Sequence, residues 1–266
     1  MTVGKTGAPD LIPNDVLTRF LRRQMRCKIL LVAVSGAHAG GFANKTSILE
    51  LKGIHIEPTE NLVGLAQAPK AYNWVGEFEG YRIDYSSQEL GPALTQLLRG
   101  DGSILERILA PRQLVDSHDL EQVQKVSRGV ICRRFHSYYR SFSRGVQREY
   151  ESQEPRSVAH VLSAYRTGLT GVHLLRRGEL IYELQKLGQL YGFGNMHELI
   201  HINKNSENAV LDPSSLWITR LAKLHALVEE SVEESPLPVD PEHPKPLEDF
   251  LLDMRRRFFD AMTVQQ

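Results

Sequence analysis

The sequence predicts an α+β fold, a small sheet-bearing unit followed by a helical one, and three observations carry that expectation. Strand-like runs are confined to the first ninety or so residues, a Gly-rich turn separates the first two of them, and the text beyond Ser87 is nearly all of helical period. In chain order, Asn14 is placed to cap a helix whose apolar side is Val16, Leu17, Phe20, Leu21 and Met25. Arg19, Arg22, Arg23 and Arg26 form its other, solvated side. "KILLVAVSG" is a continuous apolar run ended by glycine, too short for a typical helix, and reads as a buried strand. "LELKGIHI" is the second strand, and "EGYRIDYSS" the third, with Tyr81, Ile83 and Tyr85 on one face and Arg82 and Asp84 on the other.

Helices follow in "QELGPALTQLLRG", "SILERIL" and the segments over 117–152, and Pro155 opens another long one. There Val158, Leu162, Tyr165, Leu169 and Val172 keep the 3.6-residue period and Gly178 is a fitting stop, while Ala164, Gly168 and Gly171 form a small-residue strip suited to close packing. "DPSSLWITRLAKLHALVEES" begins with capping residues and continues as a helix. "SPLPVDPEHPKP" cannot continue it and is a Pro-rich connector over 235–246. The last helix turns Leu247, Phe250, Leu251, Met254 and Phe258 inward and leaves Arg255 to Arg257 in solvent. The division expected is an α/β domain over 1–112 and a helical domain over 113–266.

With 266 residues the chain can bury a sizeable core. Lys plus Arg and Asp plus Glu are both 32, so net charge alone points to neither nucleic acid nor membrane. Two cysteines, Cys27 and Cys132, exclude a disulfide framework and a multi-cysteine zinc site; both read as small buried apolar residues. No apolar run suits a signal peptide or a membrane span, and the expectation is a soluble cytoplasmic protein with no membrane partner.

Two stretches carry chemistry. "HELIH", His197 to His201, has the spacing at which two imidazoles on one helix face hold zinc while Glu198 activates water, the arrangement of a zinc peptidase. It lacks a third ligand: no G-x-x-H continuation follows, and Glu229 and Glu230 sit in an acidic run of solvated helix surface. The other is "SGAHAGGFANKTSILELKGIHI", in which Ile48, Glu50, Lys52 and Ile54 share one face of the second strand. Glu50 and Asp84, on neighbouring strands beside a Gly-rich turn, could hold Mg²⁺ and a triphosphate; two solvated surface acids would look the same in sequence. Arg166 and His173 are seven apart on one helix face and, with Lys204, could face a cleft or serve as ordinary interhelical partners.

The order of these features resembles the DNA polymerase β superfamily of nucleotidyltransferases, in particular its RNA repair pathway polymerase-β family. Gly36, the "GF" of Gly41 and Phe42, Ser47 and "LKGIHI" carry the resemblance, which continues through "RIDYSSQEL", "LLRGDGSILERI", "YRTGLTGVHLLRRGEL" and "SPLPVDPEHPKPLEDF". It implies a nucleotidyltransferase-like short mixed sheet with flanking helices and a C-terminal helical domain. It assigns Glu50 and Asp84 as catalytic and Mg²⁺-binding, and Ser35, Gly36, Ala37, Arg166 and Lys204 as nucleotide-binding. It also aligns Glu198, Leu199, Ile200, Lys204 and Glu207 with a shared "ELI" element, which makes the two histidines incidental and removes the expectation of zinc. The sequence departs from the family at Ala37, where a serine would meet the triphosphate, at Ile48 in place of the first metal carboxylate, and at Glu50 in place of an aspartate. The expectation is a pseudoenzyme that binds a nucleoside triphosphate, or a weak Mg²⁺-dependent transferase of a nucleoside monophosphate to a hydroxyl. An active transferase on RNA or protein is the alternative, and RNA or a protein the expected further partner.

Overall fold

A computed structural model describes residues 11–25, 27–65, 68–115, 117–151, 156–206, 209–212 and 214–263. Helix α1 (Asn14–Gln24) buries Val16, Leu17, Phe20 and Leu21, as its period requires. Asn14 does not cap it: Pro13 holds that position without a side-chain bond, and the Asn14 carbonyl accepts from Thr18 Oγ1 at 2.7 Å. On the outer side Arg19 bonds Asp15 and Glu79, and Arg22 and Arg23 are exposed. Arg26, Pro155 and Glu207 lie outside the described residues.

Strand β1 (Lys28–Val34) is buried from Ile29 onward. The Gly-rich turn forms the short helix α2 (Gly36–Gly40), closed by Gly41 at φ 77°. Strand β2 (Leu49–Ile56) and the single turn α3 (Glu60–Val63) follow, then the hairpin β3 (Ala71–Phe78) and β4 (Tyr81–Glu89). Glu79 and Gly80 join the hairpin with φ of 48° and 83°, the paired positive values of a tight primed turn. Strand β3 escapes the sequence reading because it buries no residue fully: "AYNWVGEF" alternates exposed and half-buried positions at the sheet edge.

The sheet order is β1-β2-β4-β3, with β2 parallel to β4 and the other pairs antiparallel. One face packs on α1, where Phe20 meets Trp74, Phe78 and Tyr85 edge-on. The other face receives α4 (Leu90–Leu98) and α5 (Gly102–Leu109), the latter capped by Asp101, which accepts from the Ser103 and Ile104 amides.

The helical part continues with α6 (His118–Arg128), a 3₁₀ turn (Arg133–Phe135), α7 (His136–Glu151), β5 (Arg156–Ser157), α8 (Val158–Arg177), α9 (Leu184–Leu190), α10 (Met196–Asn205), β6 (Val210–Leu211), α11 (Leu216–Glu233) and α12 (Lys245–Thr263). Strands β5 and β6 pair antiparallel. Helix α8 is the spine: the five residues of its apolar period are all fully buried. A Cβ on Gly168 would lie 2.8 Å from Leu224, and one on Gly171 2.3 Å from Tyr139, so the small-residue strip admits two neighbouring helices. The Pro-rich connector is strapped down by Arg133, whose guanidinium donates to the carbonyls of Leu237 and Ser235.

Helix α12 returns to the sheet unit and buries Leu247, Phe250 and Met254, with Leu251 and Phe258 partly buried. Arg256 and Arg257 are exposed as expected, although Arg257 also bonds Asp119 at 3.0 Å, whereas Arg255 is not left in solvent: it forms two bonds to buried Glu89, at 2.7 and 2.8 Å. The largest core cluster draws on both sides of residue 112, joining Leu30, Ile54 and Leu94 to Val130, Phe135 and Met254. Among the described residues, no helix is long and apolar enough to cross a membrane.

Candidate functional site

The site begins with strand register. Because β2 and β4 run parallel with Glu50 opposite Asp84, the two acids stand side by side on one face. Lys52 follows Glu50 on that face and places Nζ 3.3 Å from Asp84 Oδ2. Behind Glu50 lies the turn into α2, tied to it by a 2.9 Å bond from the Ser35 amide to the Glu50 carbonyl. Gly36 is required there on two counts: its φ is 60°, and a Cβ on it would lie 1.8 Å from Glu50 Oε1. Burial pushes the Glu50 carboxyl above its usual range, Lys52 and Arg166 pull it down, and Asp84 pushes it further up.

These groups open on a cavity of about 210 Å³ between the sheet and the helices. Ser35, Glu50 and Lys52 form its sheet side, and Glu106, Arg107 and Arg166 its helical side. Tyr138 and Tyr182 close the wall. Glu106 is fully committed: Arg166 bonds it at 2.6 Å, Tyr139 donates to its other oxygen at 3.2 Å, and Tyr182 donates to its backbone carbonyl at 2.7 Å. Burial works against the Arg166 charge, but Glu106 holds that guanidinium above its ordinary value. Arg107 is different. It donates from Nη1 to the Gly53 carbonyl at 2.9 Å, its buried Nε has no partner, and among the described residues it forms no salt bridge. Burial therefore lowers its pKa, with Asp101 countering only in part.

Of the residues singled out in the sequence, Ser35, Glu50 and Arg166 line this cavity, while Gly36 and Asp84 adjoin Glu50. Ala37 packs, partly buried, against the helical core. His173 and Lys204 do not reach the cavity: His173 bonds the Tyr191 hydroxyl at 2.8 Å, and Lys204 is exposed on α10. What α10 contributes is Asn203, whose side chain donates to the Phe42 carbonyl at 2.7 Å and whose own carbonyl accepts from Asn44, fixing the loop that follows α2. The sequence signal for Arg107 is weak: Ser103, Glu106 and Arg107 form a polar stripe at i, i+3 and i+4 on an otherwise apolar helix.

The HELIH residues are not among those that line the cavity. His197, Glu198 and His201 are exposed on α10, the His201 Nε2 lies 2.8 Å from Asn205 Nδ2, and the described residues bring no third ligand to them. In the cleft, Glu50 and Asp84 offer the oxygen donors that Mg²⁺ prefers. Ile48, two residues ahead of Glu50 on the lead into β2, offers none. That donor set suits one Mg²⁺ carried largely by phosphate oxygens, and does not suit a pair of metals.

Compared with known proteins, the chain matches the RNA repair pathway DNA polymerase beta family over residues 14–253. It is also 24% identical over 144 residues to an uncharacterized protein of Methanocaldococcus jannaschii, an overlap of 53% of this chain and 58% of the relative. The chain thus spans a little over half the length of that curated relative.

Proposed function

We propose that this chain, which belongs to the RNA repair pathway DNA polymerase beta family of nucleotidyltransferase-type proteins, binds a nucleoside triphosphate in the cleft and transfers from it weakly or not at all. The observation that carries this reading is the Glu50–Asp84 register beside the Gly36 turn, with Ile48 where a further carboxylate would complete the motif. A bound Mg²⁺ would supply the charge that neutralises the triphosphate and the departing pyrophosphate. Glu50 and Asp84 would hold it, and Ser35 and Gly36 would approach the phosphates from the turn.

Arg107 lines the cleft with a guanidinium that forms no salt bridge among the described residues, and its positive charge in this partly buried setting would favour the phosphates. Arg166, already bound to Glu106, fixes the wall against which that contact is made. Lys52 holds Asp84 and shares its negative charge, which weakens the pull of the carboxylate pair on a cation. An active transferase on RNA or protein is the second reading, favoured by the retained side-by-side carboxylates.

Calorimetric titration with ATP, GTP, CTP and UTP, with and without Mg²⁺, tests the proposal. Weak Mg²⁺-dependent binding with little transfer is expected. Ile48→Asp with Ala37→Ser should strengthen binding, raise transfer, and lower thermal stability in EDTA with recovery on adding Mg²⁺. Robust transfer by the wild type, lost in Glu50→Gln or Asp84→Asn, establishes the active reading instead. Absence of binding under either condition overturns both.

A further inference from the structure

At the far end of β2, roughly 17 Å along the strand from Glu50 at about 3.3 Å per residue, the pairing of β1 with β2 gathers three residues of another kind. Lys28 pairs with Ile56 and Ile29 with His55, so Cys27 arrives beside Glu57. The Cys27 sulfur, a ring nitrogen of His55 and a carboxylate oxygen of Glu57 all lie within 4.8 Å of one another. His55 Nε2 is 3.8 Å from Glu57 Oε1. His55 is 0% and Glu57 4% exposed, whereas Cys27 is only partly buried.

The imidazole is the telling group. Its Nδ1 is 2.8 Å from the Ser87 hydroxyl, while Nε2 is buried and has no hydrogen-bond partner. A buried polar nitrogen without a partner is costly. A histidine fixed through one nitrogen, with the other aimed at further donors, is also how metal-bound imidazoles are commonly oriented. Glu57 is positioned in the same way by the Tyr72 hydroxyl, which donates to Oε1 at 2.9 Å, and the Tyr72 ring lies 5.1 Å from that of His55. Nearby Glu89 is engaged by Arg255 and is not available as a donor.

We infer that Cys27, His55 and Glu57 form a zinc site, with the fourth position open to solvent beside the partly exposed cysteine. A thiol, an imidazole and a carboxylate suit Zn²⁺ or Co²⁺, and the sulfur and nitrogen donors argue against Mg²⁺ or Ca²⁺. Donor atoms around tetrahedral zinc stand about 3.3–3.6 Å apart, given bonds of about 2.0–2.3 Å, so the three groups need to close by only about 1 Å. On binding, the Cys27 S–H bond breaks, the sulfur pair forms the Zn–S bond and the proton passes to solvent. The site would pin the start of β1 to the end of β2. Sequence gives no hint of it, because the two cysteines alone exclude a multi-cysteine site and strand register supplies the mixed set.

The test uses the full chain stripped by a chelator and titrated with Zn²⁺ and, separately, Co²⁺. One equivalent should bind, the thermal midpoint should rise, and the Co²⁺ complex should show a sulfur-to-metal charge-transfer band. Cys27→Ser should abolish that band and weaken binding by about a hundredfold or more, and Ser87→Ala, which frees Nδ1, by about 10–100-fold. Far-UV circular dichroism verifies that Cys27→Ser is folded, and His197→Gln with His201→Gln serves as the control that should bind normally. Failure to bind zinc at micromolar concentration, a Co²⁺ spectrum without the band, or loss of binding in the HELIH control but not in Cys27→Ser would each overturn the assignment.

Discussion

The seam that joins α12 to the sheet unit and the cleft at the start of β2 both bury charge, and they treat it oppositely. At the seam, Glu89 is 1% exposed and is matched by two bonds from Arg255 while its Oε2 also accepts from the Gly91 amide at the start of α4. Asp119 sits between Lys28 at 2.7 Å and Arg257 at 3.0 Å. In the cleft, beside the matched Glu106–Arg166 pair, half-buried Glu50 forms no ion pair among the described residues and Arg107 donates only to a carbonyl. Matched buried charge holds elements in place, whereas unmatched buried charge is unfavourable in the folded protein and concentrates where a ligand can complete it. The contrast supports the proposed binding cleft on grounds independent of any motif.

The largest expected effect breaks the matched side. Arg255→Met leaves Glu89 buried and uncompensated and should cost about 3–5 kcal/mol in urea unfolding. Adding Glu89→Gln should restore much of that loss, and a single-variant cost near zero would mean that the seam is not held by charge. Next in size, Gly36→Ala forces a left-handed φ on alanine and drives a Cβ into Glu50, which should cost about 1–3 kcal/mol and remove nucleotide binding; calorimetry on the folded variant checks the second part.

Two titrations then sharpen the comparison, because their signs are opposite. Burial pushes the Asp119 carboxyl up, but the bonds and charges of Lys28 and Arg257 outweigh it and hold the pKa below the ordinary value. Its contribution is therefore fully present above about pH 4 and is lost as pH falls through the lower folded value. Asp119→Asn should cost about 1–2 kcal/mol at neutral pH, with the gap closing in acid. For Glu50 the folded pKa is raised, chiefly by burial, so the folded state binds the proton more tightly and stability falls as pH rises through that value. Glu50→Gln should accordingly raise the thermal midpoint at neutral pH, by less than Asp119→Asn lowers it, and the gain should vanish below the ordinary carboxylate range. A loss in place of that gain would show that Glu50 is matched after all. Smallest of all, His197→Gln with His201→Gln should stay within about 0.5 kcal/mol of wild type, since both side chains are exposed.

Much of this arrangement was legible in the sequence where a local period determines it. Alternation gave the faces of Glu50 and Asp84, and the resemblance linked them; the parallel pairing that makes them neighbours is a tertiary fact. The helical period found all five buried positions of α8, and of the two roles the sequence left open for His173 the structure shows the ordinary hydrogen-bond partner. Seven residues put it on the face of Arg166 but about 10 Å further along the axis, and a helix buried on most sides faces more than one environment. Strand β3 was hidden because an edge strand needs little apolar surface, and the Arg255 and Arg257 pairs because their partners lie 166 and 138 residues away. Asn14 has the chemistry of a cap, but the helix already includes it and Pro13 holds the capping position.

The return of α12 has a consequence for synthesis. Lys28, at the mouth of β1, stacks its ammonium 4.9 Å from the Phe258 ring, and Leu30 shares a core cluster with Met254. At about 5–20 residues per second, a ribosome needs roughly 10–45 s to travel from one end of that cluster to the other. Throughout that interval the apolar face of β1 lacks the cover that α12 gives it, so splitting the gene near residue 112 should yield two aggregating halves.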